Sequence, residues 1–148
     1  MSLSHEFLLI SPDSISQLMS FSSLYKKDVR FDRFDMIQWP EEPHRPVVET
    51  ELEHLMTYYR KHRCDCVSIA DSIILASIPL LENVNTLMHG FIPYRGINYY
   101  GFTVIPLESI DIFTKVLNSL PKKDRYLELI DLCRDAKKLN RHILHCGI

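Results

Sequence analysis

Glycine is scarce in this chain of 148 residues, and long apolar runs are missing. The four glycines, Gly90, Gly96, Gly101 and Gly147, form neither a Gly-x-Gly-x-x-Gly motif nor a phosphate-binding loop that ends in Gly-Lys-Ser or Gly-Lys-Thr. The longest apolar stretch, Ser72 to Leu81, is much shorter than the roughly twenty residues that a bilayer-spanning helix needs. These absences disfavour nucleotide-dependent chemistry and a membrane anchor.

The N-terminal sequence has no export signal of the usual form. No lysine or arginine precedes the apolar run Phe7 to Ile10, and this run is shorter than the apolar region of at least about seven residues in a signal peptide. We therefore expect a cytoplasmic protein. Its four cysteines should stay reduced there and form no disulfide bonds.

Histidine and cysteine residues raise one alternative, a zinc site. His62, Cys64 and Cys66 share parity, so on a strand their side chains would point to one face. Further ligands could come from the C-terminal segment, from His142, His145 and Cys146. Structural zinc sites, however, usually place two to four residues between paired cysteines, and only one residue separates Cys64 from Cys66. The sequence therefore predicts no metal site, and it holds no cofactor motif.

The composition is that of an ordinary globular protein. Hydrophobic residues make up 46% of the chain and charged residues 24%. A length of 148 residues is close to the common size of one domain, and no repeat or low-complexity tract divides the chain. We expect a single domain over residues 1–148.

The hydrophobic periodicity predicts an α+β fold. The predicted strands are Glu6 to Ile10, Phe91 to Tyr94, Ile97 to Ile105 and His142 to Cys146, of which the second and third form a hairpin about Arg95-Gly96. The predicted helices begin at Asp13, Val48, Pro79, Pro106 and Asp124, and Asp65 to Ser77 fits a buried helix or an interior strand equally well. The pattern indicates one small, mostly antiparallel sheet of about four strands, packed with four to six helices.

Charge is unevenly distributed, although the formal net charge is only -2. The segment from Asp28 to Glu53 carries eight carboxylates and three arginines, whereas Lys115 to Arg141 carries eight basic and four acidic residues. Such segregation affects association and steering rather than the fold. An acidic surface of this kind suits a basic partner.

The acidic residues with the strongest indication of a binding role lie on irregular chain. Three prolines within Pro40 to Pro46 cannot continue a helix or a strand, which predicts an exposed loop. Glu49, Glu51 and Glu53 instead begin the helix at Val48, where carboxylates favour the helix dipole. Trp39 is either an aromatic anchor or a loop tryptophan folded into the core. The predicted partner-binding residues are Asp28, Asp32, Asp35, Trp39, Glu41 and Glu42.

Candidate catalytic groups are few. His142 and His145 lie close in sequence to Lys137, Lys138 and Arg141, a composition that could form a ribonuclease-like acid-base site. A basic helix C-terminus followed by a strand has the same composition, because the helix dipole favours cations there. The chain has no Gly-x-Ser-x-Gly motif. Its overall charge is mildly acidic, and basic residues are not interleaved with the aromatic run Tyr94, Tyr99, Tyr100 and Phe102, which disfavours nucleic acid as a direct partner.

Two segments resemble small immunity proteins of bacterial polymorphic toxin and contact-dependent growth inhibition systems. The first runs from Tyr94 to Pro106 and passes directly into the helix that opens with Leu107-Glu108-Ser109-Ile110, and the second is the ending Ile143 to Ile148. Together they cover under a quarter of the chain and identify no particular family. The resemblance implies a cytoplasmic, non-catalytic domain that binds one cognate toxin and blocks its active site.

Three functions remain open. The first is an immunity or inhibitor protein, without enzyme activity, whose acidic surface covers a basic toxin domain, because a nuclease must be basic to hold phosphates. The second is a small hydrolase or nuclease with a site built from histidines and carboxylates. The third is a regulatory or structural subunit that self-associates through its two charged regions. We expect no membrane partner, and a monomer or a weak homodimer.

Overall fold

The computed structural model describes residues 3–12, 45–88, 92–121 and 123–148. Within these ranges the chain forms one antiparallel sheet of six strands and four α-helices. The predicted α+β class is confirmed, but the sheet has six strands where the pattern indicated about four. The predicted helix from Asp13 and the acidic segment up to residue 44 lie outside the described residues.

The strands follow an order that differs strongly from their order in the sequence. Across the sheet they run β2-β1-β6-β5-β3-β4. Each neighbouring pair is antiparallel. The strands are β1 (Ser4–Ile10), β2 (Val67–Ala70), β3 (Asn85–Met88), β4 (Ile92–Arg95), β5 (Phe102–Ile105) and β6 (His142–Cys146). The last strand in sequence therefore lies in the middle of the sheet.

Within the described ranges, four helices pack on this sheet: α1 (Arg45–Lys61), α2 (Asp71–Leu81), α3 (Ile110–Ser119) and α4 (Leu127–Leu139). Short 3-10 turns, Arg63–Asp65, Leu107–Ser109 and Lys123–Tyr126, link them to neighbouring elements. The helix α4 ends where Asn140 adopts a left-handed backbone with φ 52°. The backbone N–H of Arg141 then donates to the carbonyl of Ala136 at 2.9 Å, which satisfies an otherwise free helix-end carbonyl.

The two faces of the sheet build two separate clusters of buried apolar side chains. Successive residues of a strand point to opposite faces, and β1 shows the consequence: Phe7 packs with residues of α2, α3 and α4, whereas Leu8 and Ile10 pack with Leu55 of α1. A hydrogen bond also joins α1 to β1, since Tyr58 Oη donates to the Leu9 carbonyl at 3.0 Å. The sheet thus has helices on both faces.

The helix predicted to begin at Pro79 is wrong. Residues 67–70 form β2, Asp71 begins α2, Pro79 lies inside that helix, and Asn85–Met88 is the strand β3. Proline lacks an N–H and would free a carbonyl one turn earlier, but Pro79 lies on the exposed side of α2, where water can bind that carbonyl. The undecided stretch 65–77 therefore contains the end of a 3-10 turn, the strand β2 and the first part of the helix α2.

The predicted hairpin between residues 91 and 105 is also wrong. β4 and β5 do not pair with each other, because β3 lies between them and pairs with both. Gly96 follows β4 with φ +82° and donates its N–H to the carbonyl of Val84 at 2.8 Å, which directs the chain away from a tight hairpin. No helix in the described ranges is long and apolar enough to span a bilayer.

Candidate functional site

A cluster of buried polar side chains lies at the end of the sheet where β1 begins and β6 ends. The strand register pairs His145 of β6 with Phe7 of β1 and with Thr103 of β5. Residues of like parity share a face, so His5, His145 and Thr103 lie together on the face covered by α2, α3 and α4. All three side chains have 0% exposure. Polar groups buried this deeply require hydrogen-bond partners.

Those partners form one continuous chain of hydrogen bonds, here called the histidine chain. His5 Nε2 lies 3.0 Å from Asp71 Oδ1, and His5 Nδ1 lies 2.9 Å from His145 Nε2. His145 Nδ1 in turn lies 3.4 Å from Thr103 Oγ1, which accepts the backbone N–H of Asn98 at 2.8 Å. Thus both nitrogens of both rings have a partner.

The proton positions along the histidine chain follow from the acceptor at its end. An ionised Asp71 only accepts, so His5 Nε2 carries a hydrogen, and in a neutral His5 the Nδ1 must accept from His145 Nε2–H. His145 Nδ1 then accepts from the hydroxyl of Thr103. If His5 gains a second proton, every bond toward Thr103 reverses direction, and no nitrogen loses its partner.

Asp71 and Tyr99 connect the histidine chain to the surface. Hydrogen bonding from the hydroxyl of Tyr99, and then from His5, lowers the pKa of Asp71 below its ordinary value. The same interaction with Asp71, followed by burial, raises the pKa of Tyr99 to about 12. Asp71 is the first residue of α2, where the positive end of the helix dipole also favours a carboxylate. Its side chain is 19% exposed.

The buried part of the histidine chain disfavours a charged imidazole. Burial, and then the neighbouring His5, lower the pKa of His145 well below its ordinary value. Aromatic rings enclose the pair: the Phe7 ring centroid lies 4.9 Å from His145 and the Tyr99 centroid 5.1 Å from His5. The two imidazole planes are nearly parallel, with an interplanar angle of 11°, and their centroids lie 5.2 Å apart, as expected for rings joined edge to edge by the hydrogen bond. The arrangement can pass or hold a proton, but its rings have no exposed surface that a substrate could touch.

The C-terminal tail closes over this end of the sheet. The N–H of Gly147 donates to the carbonyl of Gly101 at 2.8 Å, and that of Ile148 donates to the carbonyl of Tyr99 at 3.0 Å. A Cβ on Gly147 would lie 2.2 Å from the oxygen of Tyr99, so only glycine permits this approach. The tail therefore holds Tyr99, which in turn contacts Asp71.

The sequence-predicted binding residues and the histidine chain do not coincide. The six partner-binding residues predicted from sequence, Asp28, Asp32, Asp35, Trp39, Glu41 and Glu42, lie outside the described residues. The pair His142 and His145 does not form a joint site, because three positions along β6 place the two rings on opposite faces. His142 Nδ1 instead accepts the backbone N–H of Leu107 at 2.8 Å. Sequence reasoning found His145 but missed His5 and Asp71.

A second polar group lies on the opposite face, beneath α1. Tyr59 Oη donates to Glu6 Oε2 at 2.8 Å, and burial, then Glu6, raise the pKa of Cys66 to about 12. Cys146 lies opposite Glu6 on β6, and Cys66 directly precedes β2, the strand on the other side of β1. Two strand spacings amount to about 10 Å, beyond the Cα separation of about 7 Å that a disulfide tolerates. All four cysteines are free thiols, and a thiol with a raised pKa is a poor nucleophile.

The arrangement considered for zinc does not occur. Residues 63–65 form a 3-10 turn rather than a strand, so His62, Cys64 and Cys66 do not share a face. The ring of His62 lies 4.4 Å from that of Tyr58, and Cys64 is exposed. Among the described residues no three histidine, cysteine, aspartate or glutamate side chains are grouped as a metal ion would require.

Comparison with known proteins adds no relative. No protein-family model, no curated protein and no solved structure matches this chain.

Proposed function

We propose that this protein is a cytoplasmic immunity protein that binds one cognate toxin domain, a nuclease, and neutralises it without catalysis. The observation that supports the proposal is the position of the two segments that resemble such proteins. Phe102–Ile105 of the first segment pairs with Ile143–Cys146 of the second. Segments that are forty residues apart in sequence thus form one unit, as expected if the resemblance has a structural basis.

The charge pattern supports a basic partner. Eight of the chain's 19 acidic residues lie between Asp28 and Glu53, and a nuclease must present basic groups to hold phosphates. An acidic inhibitor is attracted to that surface and associates rapidly. Glu53, in the described part of this segment, is exposed on α1.

The burial of the histidine chain favours binding over hydrolysis. A catalytic histidine must come within hydrogen-bond reach of its substrate. His5 and His145 are fully buried, and their nitrogens are already engaged by Asp71, by each other and by Thr103. Their role here is to connect β1, β5, β6 and α2.

Self-association through the charged regions has weaker support. Two basic residues of α4 already pair within the same molecule, since Lys137 Nζ contacts Asp111 of α3 and Arg134 Nη1 lies 3.1 Å from Asp131. Part of the basic charge of α4 is therefore neutralised by acidic residues of the same molecule, which leaves less of it to bind a second copy.

The test is growth protection. We expect a tagged form of this chain, expressed in its native host, to co-purify with one secreted protein whose toxin domain can be identified by mass spectrometry. Expression of that domain alone in a heterologous host should stop growth, and co-expression of this chain should restore it. Copurification without protection, or nuclease activity of the purified chain abolished by His145→Gln, would contradict the proposal.

A further inference from the structure

Both ends of the histidine chain are bonded to one turn of the backbone. Residues 97–101, here called the Tyr99 turn, connect β4 to β5. The hydroxyl of Tyr99 bonds to Asp71 at one end of the histidine chain. The backbone N–H of Asn98 donates to Thr103 Oγ1 at the other end, at 2.8 Å. A change in the protons of the histidine chain therefore acts on the contacts that hold this turn.

The C-terminal tail depends on the same turn. Its backbone N–H groups, those of Gly147 and Ile148, donate to carbonyls of the Tyr99 turn. Both residues directly follow β6, so they stay with that strand and lose these acceptors when the turn moves away. Segments held by few bonds at the end of a sheet open at a lower free energy than core strands and helices. The turn and the tail can therefore open together while the sheet remains paired.

The contact between the two imidazoles accommodates only one hydrogen. His5 Nδ1 and His145 Nε2 lie 2.9 Å apart, so one nitrogen donates and the other accepts. One added proton reverses the direction of this bond. A second added proton places a hydrogen on all four ring nitrogens, and two N–H groups then face each other with no acceptor between them. The intact histidine chain thus holds at most one added proton, whereas two hydrated histidines each bind one.

The groups around the pair offer little compensation for a second positive charge. Among the described residues, Asp71 from α2 supplies the carboxylate that is bonded to the histidine chain. Tyr99, against which Tyr100 packs edge to face, has a pKa of about 12 and stays neutral. Burial raises the pKa of Cys133 on α4 to about 11, so this thiol is neutral as well. The other residues that β2, α3 and α4 place on this face are apolar: Ile69, Phe113, Leu117, Leu129 and Ala136.

We propose that the histidine chain is an acid-sensitive latch: protonation of both His5 and His145 opens the Tyr99 turn and frees the C-terminal tail, while the remaining sheet and helices stay folded. This device does not depend on the proposed function. The open form binds more protons than the closed form, so acid favours opening. Opening should begin as the pH falls below 6.5, the ordinary pKa of a hydrated histidine, and burial lowers the pKa of His145 in the closed form. Clusters of histidines act in this way in other pH-dependent switches.

Amide hydrogen exchange of the purified protein, followed by NMR, tests the latch. The protection factor compares each amide with an unfolded chain at the same pH. For Asn98, Gly147 and Ile148 we expect it to fall at least about tenfold between pH 7.5 and pH 5.0, because each proton bound on opening changes the equilibrium by up to tenfold per pH unit. The control is Leu120, whose N–H donates to the carbonyl of Leu117 at the end of α3. Its protection should change less than about threefold, since its local opening exposes neither histidine.

Two variants separate the latch from a general effect of acid. In His145→Gln the amide oxygen can accept from a doubly protonated His5, so His5 gains its proton without opening the turn. The fall in protection at Asn98 should then be less than about threefold. The matched variant His142→Gln removes a buried histidine from the opposite face, where it accepts from Leu107, and should behave as the wild type. Circular dichroism at each pH checks the fold, and the wild-type profile decides by itself if a variant does not fold.

Three results would overturn the inference. A fall of less than about tenfold at Asn98 in the wild type would show that the turn does not open with acid. An equal fall at Leu120 and Asn98 would show that acid unfolds the whole domain. An unchanged pH dependence in a folded His145→Gln variant would assign the opening to another group.

Discussion

The two buried histidines specify which residues of β1 and β6 face each other. His5 reaches His145 only in the register that pairs Phe7 with His145. A shift by one residue would turn His5 to the face beneath α1, leave His145 Nε2 without a partner and remove from Asp71 the hydrogen bond of His5. An unsatisfied buried polar group costs about 1–3 kcal/mol. The histidine chain therefore disfavours every neighbouring register.

Stability should fall with acid because His145 resists protonation in the folded state. Its pKa is lowered by burial from an ordinary value of 6.5, so the unfolded chain binds the proton first as the pH falls below 6.5. The free energy of unfolding should then decrease with a slope that approaches about 1.4 kcal/mol per pH unit for one proton. Urea unfolding at several pH values between 7.5 and 4.5 measures this slope.

His145→Gln is the matched variant for this measurement. Its amide keeps a donor near the former Nε2 position but does not titrate, so we expect lower stability at pH 7.5 and a flatter slope below pH 6.5. His142→Gln should flatten the slope less, because burial lowers the pKa of the less buried His142 to a smaller extent. The lowered pKa of Asp71 acts only below its ordinary value of 3.8, outside this window. A wild-type stability that is constant from pH 7 to 5 would contradict the prediction.

At the residue scale, the sequence revealed only part of the site. The short apolar run Glu6–Ile10 predicts β1, and the alternation of side chains along a strand places His5 on the same face as Phe7. Nothing in the sequence shows that β6 pairs with β1, that Thr103 lies beyond β6, or that α2 begins at Asp71. The hydrogen bonds of the histidine chain join residues up to 140 positions apart, and local periodicity carries no information on such pairs.

Among the elements, β6 and its tail connect the most distant parts of the fold. β6 pairs with β1 on one side and with β5 on the other. The tail beyond it binds the turn at Tyr99 through two backbone hydrogen bonds. Because these bonds require a close approach of the two backbones, both depend on the absence of a side chain at Gly147.

Gly147→Ala should separate the tail from the Tyr99 turn. The new methyl group would lie 2.2 Å from the oxygen of Tyr99, so the backbone must move apart. We expect the free energy of unfolding to fall by about 1–3 kcal/mol, the usual effect of overpacking. Ile148→Ala, which removes a partly exposed side chain but keeps the backbone bonds, should change it by less than about 0.5 kcal/mol. Equal losses in the two variants would contradict this explanation.

Elements with a strong amphipathic period were predictable, and elements whose boundaries depend on distant contacts were not. The apolar stripes of α1, α3 and α4 gave these helices nearly correct limits. The apolar stretch from residue 65 has no clear period, because β2 is followed at once by α2. Proline at position 79 predicts a helix start, but its exposed location lets it lie inside α2. The position of β3 between β4 and β5 depends on contacts between residues that are distant in sequence, which local periodicity does not show.

On the scale of the whole molecule, charge segregation should govern the rate of association. Reversal of the acidic residues Asp32, Asp35, Glu41 and Glu42 to lysine should slow association with the basic toxin domain at least about tenfold at low salt. The wild-type rate should also fall as salt increases, because charges are screened beyond about 8 Å at physiological ionic strength. Stopped-flow or surface plasmon resonance measurements at several salt concentrations give both results.

The control reverses four basic residues that are exposed elsewhere. Lys115, Lys123, Arg125 and Lys138 are exposed on or next to α3 and α4, and their change to glutamate should leave the rate nearly unaltered. If the basic set controlled association and the acidic set had no effect, with unchanged circular dichroism in both, the acidic segment would not be the surface that steers the toxin.

The central position of β6 also sets the timing of folding during synthesis. β1 ends at residue 10 and its partner β6 begins at residue 142, so about 130 residues are added between them, which takes roughly 7 to 26 s at ribosomal speed. During that time β1 can already pair with β2 and contact Leu55 of α1, but its other edge, which β6 covers, stays unpaired. The nascent chain therefore presents an open strand edge for most of its synthesis, and the sheet closes only after β6 has left the ribosome.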